Sequence, residues 1–170
     1  LGLLTTPGEE NSGLTKENGY VINLDRAEKL EKMTYSSLFS KAGIIVLEDT
    51  DESLLGKVDK LEVCDNNLYV LEKGRGLFLF NKQGKFIKMI GRKGKGPGEY
   101  IDPGDISVDR ENKKIYVLDS QTQNVLKYSS NGTFESSFKL ENKGTRSTFI
   151  QPFKNALYTN LYTFDESGKR

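Results

Sequence analysis

The chain repeats itself, and this internal repeat limits its possible fold more than any other feature. The segment Asn67–Glu72 (NLYVLE) has a counterpart 47 positions later in Lys114–Asp119 (KIYVLD), and 79–86 has one 48 positions later in 127–134. A weaker third copy begins at Ala156 (ALYT), 42 positions after the second. A period of about 40–50 residues that holds four short strands is typical of one β-propeller blade. The sequence therefore predicts an all-β fold of antiparallel, four-stranded blades.

Each complete copy divides into four strands separated by short polar turns. The predicted strands of the first copy are 58–64, 67–72, 77–81 and 85–90, and those of the second are 105–109, 114–119, 124–129 and 133–140. Gly84 and Gly132 belong to the third turn of each copy, where a tight hairpin requires a residue with positive φ. Each copy therefore predicts one blade.

The whole chain is predicted to consist of an N-terminal tether followed by a partial propeller. Residues 1–19 are polar and indicate a flexible tether, and a helix of one or two turns is predicted within 25–38. The partial propeller covers 20–170, with blades at 58–90 and 105–140, a partial blade at 146–170 and a closing strand at 44–47. Since a propeller closes its ring with about 4–8 blades, we expect a longer product or, alternatively, a ring of two half-chains about a two-fold axis.

Composition removes several classes of chemistry. Histidine is absent from all 170 residues, which excludes Ser-His-Asp triads and histidine zinc sites from this chain. The single cysteine, Cys64, excludes an intramolecular disulfide, and we interpret it as a small buried hydrophobic residue. Acidic pairs such as Asp102 and Asp105 are interpreted as stabilising turns. We therefore expect no enzyme, no cofactor and no metal site in this stretch.

The glycine-rich run that joins the two complete copies carries a resemblance. It reads IGRKGKGPGEYIDPGDISVD over residues 90–109 and is followed by IYVLD at 115–119. This pattern resembles the NHL repeat, and its GKGPGEY form is similar to that of the six-bladed β-propeller lipoproteins of gut-type Gram-negative bacteria. The chain looks like their N-terminal half, with about two and a half to three blades of six. The resemblance implies an exported protein in the periplasm or at the outer-membrane surface, and it carries over no catalytic residues.

The same run contains the candidate binding residues. Arg92, Lys93, Lys95, Glu99 and Tyr100 are predicted to contact a ligand, in line with a wider basic stretch over 82–95 that suggests an anion or an acidic glycan. The alternative is a connection between blades, pinned to the next blade by Glu99 and Tyr100, beside a solvated outer strand. A phosphate-binding loop is disfavoured, because the Lys-Ser/Thr pair that follows the last glycine of such loops is missing.

These observations predict an exported, non-enzymatic β-propeller that binds a partner at the cell envelope. Its expected partner is a glycan, a peptide or another envelope protein, or the remaining blades supplied by the same gene or by a second copy. Nucleic acid is not expected, because 25 basic and 24 acidic residues nearly cancel. Membrane attachment would require a lipid anchor outside this sequence. The alternative is a carboxylate- or metal-dependent lyase or hydrolase whose catalytic residues lie in further blades.

Overall fold

The computed structural model describes residues 34–41, 43–141, 145–154 and 156–163. The chain divides into two compact units, residues 1–42 and residues 43–170. The described part of the first unit contains one short helix, α1 (Tyr35–Leu38), within the range predicted for a helix. The predicted tether at 1–19 lies outside the described residues. Across the described ranges, no helix is long and apolar enough to cross a bilayer.

Two antiparallel, four-stranded sheets form most of the second unit. The first sheet contains β1 (Lys60–Cys64), β2 (Asn67–Glu72), β3 (Gly76–Asn81) and β4 (Phe86–Ile90). The second sheet contains β5 (Pro103–Asp109), β6 (Lys114–Asp119), β7 (Asn124–Ser129) and β8 (Phe134–Lys139). Each strand pairs with the next one in sequence. The predicted all-β fold with four-stranded antiparallel sheets is confirmed.

Shorter strand pairs follow the second sheet. Strand β10 (Ile150–Phe153) pairs with β11 (Ala156–Thr159), and β9 (Thr145–Arg146) pairs with β12 (Tyr162–Thr163). Strand β11 is the ALYT segment of the third copy. Residues 164–170 of the predicted partial blade lie outside the described residues.

The sheets stack face to face, and side chains alternate between the two faces of each strand. On β2, Tyr69 and Leu71 belong to the cluster that also contains Ile106 and Val117 of the second sheet, whereas Leu68 and Val70 belong to the opposite face. Both faces of β2 are therefore covered, which explains its nearly continuous apolar sequence. Burial of each large apolar side chain contributes about 1.5–3 kcal/mol to stability.

Polar contacts tie the stacked strands together at two places. The Tyr69 hydroxyl donates to the carbonyl oxygen of Ser130 across the two sheets, at 2.8 Å. Asp105 of β5 accepts from the Lys60 ammonium of β1 and from the Ile150 N–H of β10, both at 2.9 Å. The Asp105 carboxylate thus joins β5 to β1 and to β10, so it links three sheets rather than stabilising a turn as predicted. Cys64 is buried, as expected.

The predicted strand at 44–47 is not formed. Ile44 and Val46 are exposed, and the segment reaches the first sheet instead through Glu48. The Glu48 N–H donates to the Gly84 carbonyl at 2.7 Å, and the Phe86 N–H donates to the Glu48 carboxylate at 2.9 Å. A β-branched run becomes a strand only when a partner supplies a ladder of hydrogen bonds, and the β3–β4 turn offers a single hydrogen bond between backbone groups rather than a ladder.

Candidate functional site

Residues 91–102, here called the Gly-rich loop, connect β4 to β5 and contain all five predicted binding residues. Tyr100 attaches this loop to the first sheet. Its hydroxyl donates to the Ile90 carbonyl at 3.0 Å and accepts from the Leu77 N–H at 3.1 Å. Burial raises the pKa of Tyr100, so its hydroxyl stays protonated and keeps both bonds. The side chain has no exposed surface, which corrects its predicted place among the ligand-contacting residues.

A second tyrosine, which the sequence analysis did not select, attaches the loop to the second sheet. The Tyr128 hydroxyl donates to the Gly98 carbonyl at 3.1 Å, and its ring packs edge-on against Phe134. The loop is therefore pinned to the preceding sheet by Tyr100 and to the next sheet by Tyr128. The signal was present in the repeat, because Tyr128 occupies the position of Phe80 in the first copy and adds a hydroxyl there.

Glu99 closes the loop upon itself. Its carboxylate accepts from the Arg92 side chain at 2.6 Å and from the Gly96 N–H at 2.8 Å. The Gly96 N–H and, secondly, the Arg92 guanidinium hold the pKa of Glu99 below its usual value. The Tyr100 N–H donates to the Arg92 carbonyl at 3.1 Å. Arg92 and Glu99 are thus brought together as an internal clamp.

The backbone of the loop is also committed to internal bonds. The Gly94 N–H donates to the Tyr100 carbonyl at 3.0 Å, and the Gly96 N–H donates to Glu99. A phosphate-binding loop would direct such N–H groups at its ligand and continue into a helix. Here they bond within the loop, and a strand follows. The glycines serve close packing instead, since a Cβ on Gly98 would lie 2.9 Å from the Phe134 side chain.

Lys93 and Lys95 are the cations that the loop leaves uncommitted. Both are exposed, and neither forms an ion pair within the described ranges. The same holds for Lys82, Lys85 and Lys88 of the preceding turn and strand. In contrast, several cations elsewhere on the two sheets are paired with carboxylates, including Lys60, Arg110, Lys113, Lys114 and Lys127. Five cations that are unpaired among the described residues therefore follow one another along the β3–β4 turn, β4 and the Gly-rich loop.

A groove of about 710 Å³ lies between the loop and the outer strands of the second sheet. Lys95 and Glu99 line it, whereas Arg92, Lys93 and Tyr100 do not. Strands β7 and β8 contribute Asn124, Leu126, Phe134, Ser136 and Ser137, the end of β6 contributes Asp119, and the β6–β7 turn contributes Thr122. The structure thus divides the five predicted residues into a buried anchor (Tyr100), a clamp (Arg92 and Glu99), a lysine that lines the groove (Lys95) and an exposed lysine outside it (Lys93).

Asp119 shapes one end of this groove. The carboxylate is buried and accepts from the N–H groups of Ile101 at 2.8 Å and Gln121 at 2.9 Å. It therefore fastens the end of the Gly-rich loop to the β6–β7 turn. Asp119 is the last residue of β6, a place where an acidic residue that caps the following turn is common.

The fold and the loop define a repeat protein of stacked, four-stranded antiparallel sheets. The chain belongs to the family described as "Domain of unknown function (DUF4934)", which matches residues 19–169. Among solved structures, it is similar to a protein of Bacteroides fragilis described as a "Putative exported protein", with 29% identity and a TM-score of 0.57. That similarity covers 63% of this chain and 30% of the other. No curated protein matches the chain.

Proposed function

We propose that this chain is part of an exported, non-enzymatic β-propeller that acts as a binding module at the cell envelope, either in the periplasm or at the outer-membrane surface. The stacked, sequentially paired sheets support the propeller architecture. The similarity to a protein described as exported, together with the resemblance of the GKGPGEY run, supports the location. Attachment to a membrane would use a lipid anchor outside this sequence.

The observation that carries the binding function is the set of hydrogen bonds that holds the Gly-rich loop on both sheets. Tyr100 and Tyr128 fix it to two sheets, and the Glu99 clamp fixes its tip. Binding residues are commonly placed on loops that a rigid scaffold positions. A loop already held in one conformation loses little conformational entropy on binding. The backbone at Lys93 and Lys95 is thereby held in place, and their exposed ammonium groups are available to a partner.

The charge pattern limits the kinds of partner that this module can bind. The unpaired cations favour a partner that carries negative charge, while the near-neutral total charge provides no long-range field for nucleic acid. A glycan, a peptide or another envelope protein meets this description. Binding is proposed rather than catalysis because the loop offers exposed cations and the 170 residues contain no histidine.

Two measurements on the full-length protein test this proposal. Cell fractionation of a tagged copy should place it in the envelope fraction, and recovery in the cytoplasm would contradict export. The natural protein should bind one or more ligands on an array of glycans and peptides. The variant Lys93→Ala/Lys95→Ala should not bind these ligands, whereas the control variant Lys57→Ala/Lys113→Ala, with substitutions at two exposed lysines, should still bind them. Identical binding by the two variants would contradict a role for the loop.

A further inference from the structure

We propose that the groove beneath the Gly-rich loop binds an acidic saccharide, with Lys95 pairing with its carboxylate. This inference rests on the proposed binding function and names the ligand class and the site. The groove volume of about 710 Å³ falls within the range of about 300–1,000 Å³ that is usual for small-ligand sites. It therefore has room for a few sugar rings.

The lining combines an apolar floor with uncommitted polar side chains. Leu126 and the partly buried ring of Phe134 form apolar surface. The side chains of Asn124, Ser136 and Ser137 line the groove and make no hydrogen bond with the described residues. An apolar surface edged by amide and hydroxyl groups matches a sugar ring, which has C–H faces and a rim of hydroxyls.

The charges of the groove determine which saccharides fit. Its two carboxylates, Glu99 and Asp119, are already bonded to backbone N–H groups and, for Glu99, to Arg92. Lys95 is exposed and unpaired within the described ranges. Lys95 is therefore the charged group of the lining that a ligand can reach most readily, since Asp119 is buried and Glu99 is paired with Arg92. A saccharide with a carboxylate gains a charge-assisted hydrogen bond there that a neutral sugar lacks.

A peptide is the other ligand class for this surface, because β8 is the outer strand of its sheet. Peptides that bind such an edge extend the ladder of backbone hydrogen bonds. Here the register of β8 shifts next to Lys127 and Tyr128, and Glu135 at that shift is paired with Lys114 and Lys127. Irregularities and charges of this kind discourage strand addition. The groove is therefore favoured over the edge of β8 as the binding surface.

The test compares two matched probes on the full-length protein. The probes are a tetramer of galacturonic acid and a neutral tetramer of galactose, with an oligomer of aspartate as a peptide control. Isothermal titration calorimetry should detect binding of the acidic tetramer and give a dissociation constant at least tenfold higher for the neutral tetramer. Lys95→Ala should weaken binding of the acidic tetramer about tenfold, which corresponds to about 1.4 kcal/mol. Lys93→Ala, on the same loop but outside the groove, should change it less than twofold.

A third variant tests the hydroxyl contacts. Asn124→Ala/Ser137→Ala should weaken the binding of the acidic tetramer severalfold and leave the circular dichroism spectrum unchanged. The inference would be overturned if Lys93→Ala and Lys95→Ala weakened binding of the acidic tetramer equally, or if the aspartate oligomer bound as tightly as that tetramer. Either result would show an attraction that depends on charge alone. Binding of array peptides without binding of acidic sugar would overturn it and leave the proposed function standing. If neither the array nor calorimetry detected a ligand, both the proposed binding function and this inference would be contradicted.

Discussion

Tyr100 illustrates how a residue selected for one role can perform another. A tyrosine beside basic residues and a glutamate suggested a ligand contact, since each of these groups can bind polar molecules. The structure places its ring in the core and uses both hydrogen-bonding functions of its hydroxyl. The alternative interpretation, a connection pinned by Glu99 and Tyr100, predicted an anchor but placed it on the next blade. The partners of Tyr100 are main-chain groups of β3 and β4 in the preceding sheet, which become neighbours only after that sheet has formed.

Removal of the Tyr100 hydroxyl should therefore affect stability. Tyr100→Phe leaves the Leu77 N–H buried without an acceptor, which costs about 1–3 kcal/mol. We expect the free energy of unfolding, measured by denaturant titration, to fall by this amount. The matched control is Tyr116→Phe on the second sheet, whose hydroxyl makes no hydrogen bond with the described residues. Equal effects of the two substitutions would contradict the anchoring role of Tyr100.

The Glu99 clamp gives the loop a definite dependence on pH. Because its folded pKa lies below the ordinary value of 4.5, the clamp contributes stability that is present above that value. This stability is lost as the pH falls through the lower folded pKa. Carbon-13 NMR titration of the Glu99 carboxyl should thus show a midpoint below 4.5, with amide exchange at Gly96 accelerating as the pH falls through that midpoint. A midpoint at or above 4.5 would contradict the clamp.

At the scale of elements, the repeat and the turn residues predicted the strands of both sheets closely. Strands β2, β6 and β7 have the predicted bounds, and the other five differ by no more than two residues at either end. This success has a physical cause, since positive-φ glycines such as Gly84 and Gly132 fix the hairpins and the apolar runs between them fix the strands.

The elements that depend on distant partners could not be predicted in the same way. The segment 44–47 has strand-forming residues, yet no ladder forms there, because strand formation depends on a neighbour as well as on propensity. The groove was also missed, since its walls come from the β4–β5 connection and from β7 and β8. Lys95 and Glu99 were selected from the sequence, but Asn124 and Ser137 carry no motif that sets them apart from other polar strand residues.

The Gly-rich loop as an element should be sensitive to substitution at its tightest point. Gly98 has a φ of 72°, and a Cβ there would approach the Phe134 side chain to 2.9 Å. Gly98→Ala should therefore lower the free energy of unfolding by about 1–3 kcal/mol, as measured by denaturant titration. Gly74→Ala is the control, because a Cβ there meets no atom within 4 Å. If Gly98→Ala were as harmless as Gly74→Ala, the loop would not be as closely packed as described.

At the scale of the whole molecule, the second unit exposes apolar surface at both ends of its stack. Leu61 and Val63 of β1 are about half exposed on the face that carries Leu68 and Val70. At the other end, Phe153 and Tyr158 of the β10–β11 pair are similarly exposed. Sheet faces of this kind are covered in closed propellers by the neighbouring blades, and exposed patches commonly mark an interaction surface.

These exposed faces lead to a prediction about the native assembly. Intact mass spectrometry and light scattering on the protein from its natural source should give a polypeptide heavier than the 19.1 kDa of these residues, because further blades would cover both faces. A 19.1 kDa chain that runs as a dimer would support the alternative ring of two half-chains, in which each copy covers the other's exposed faces. A 19.1 kDa monomer would leave Leu61, Val63, Phe153 and Tyr158 in water, and it would contradict the closed propeller in either form.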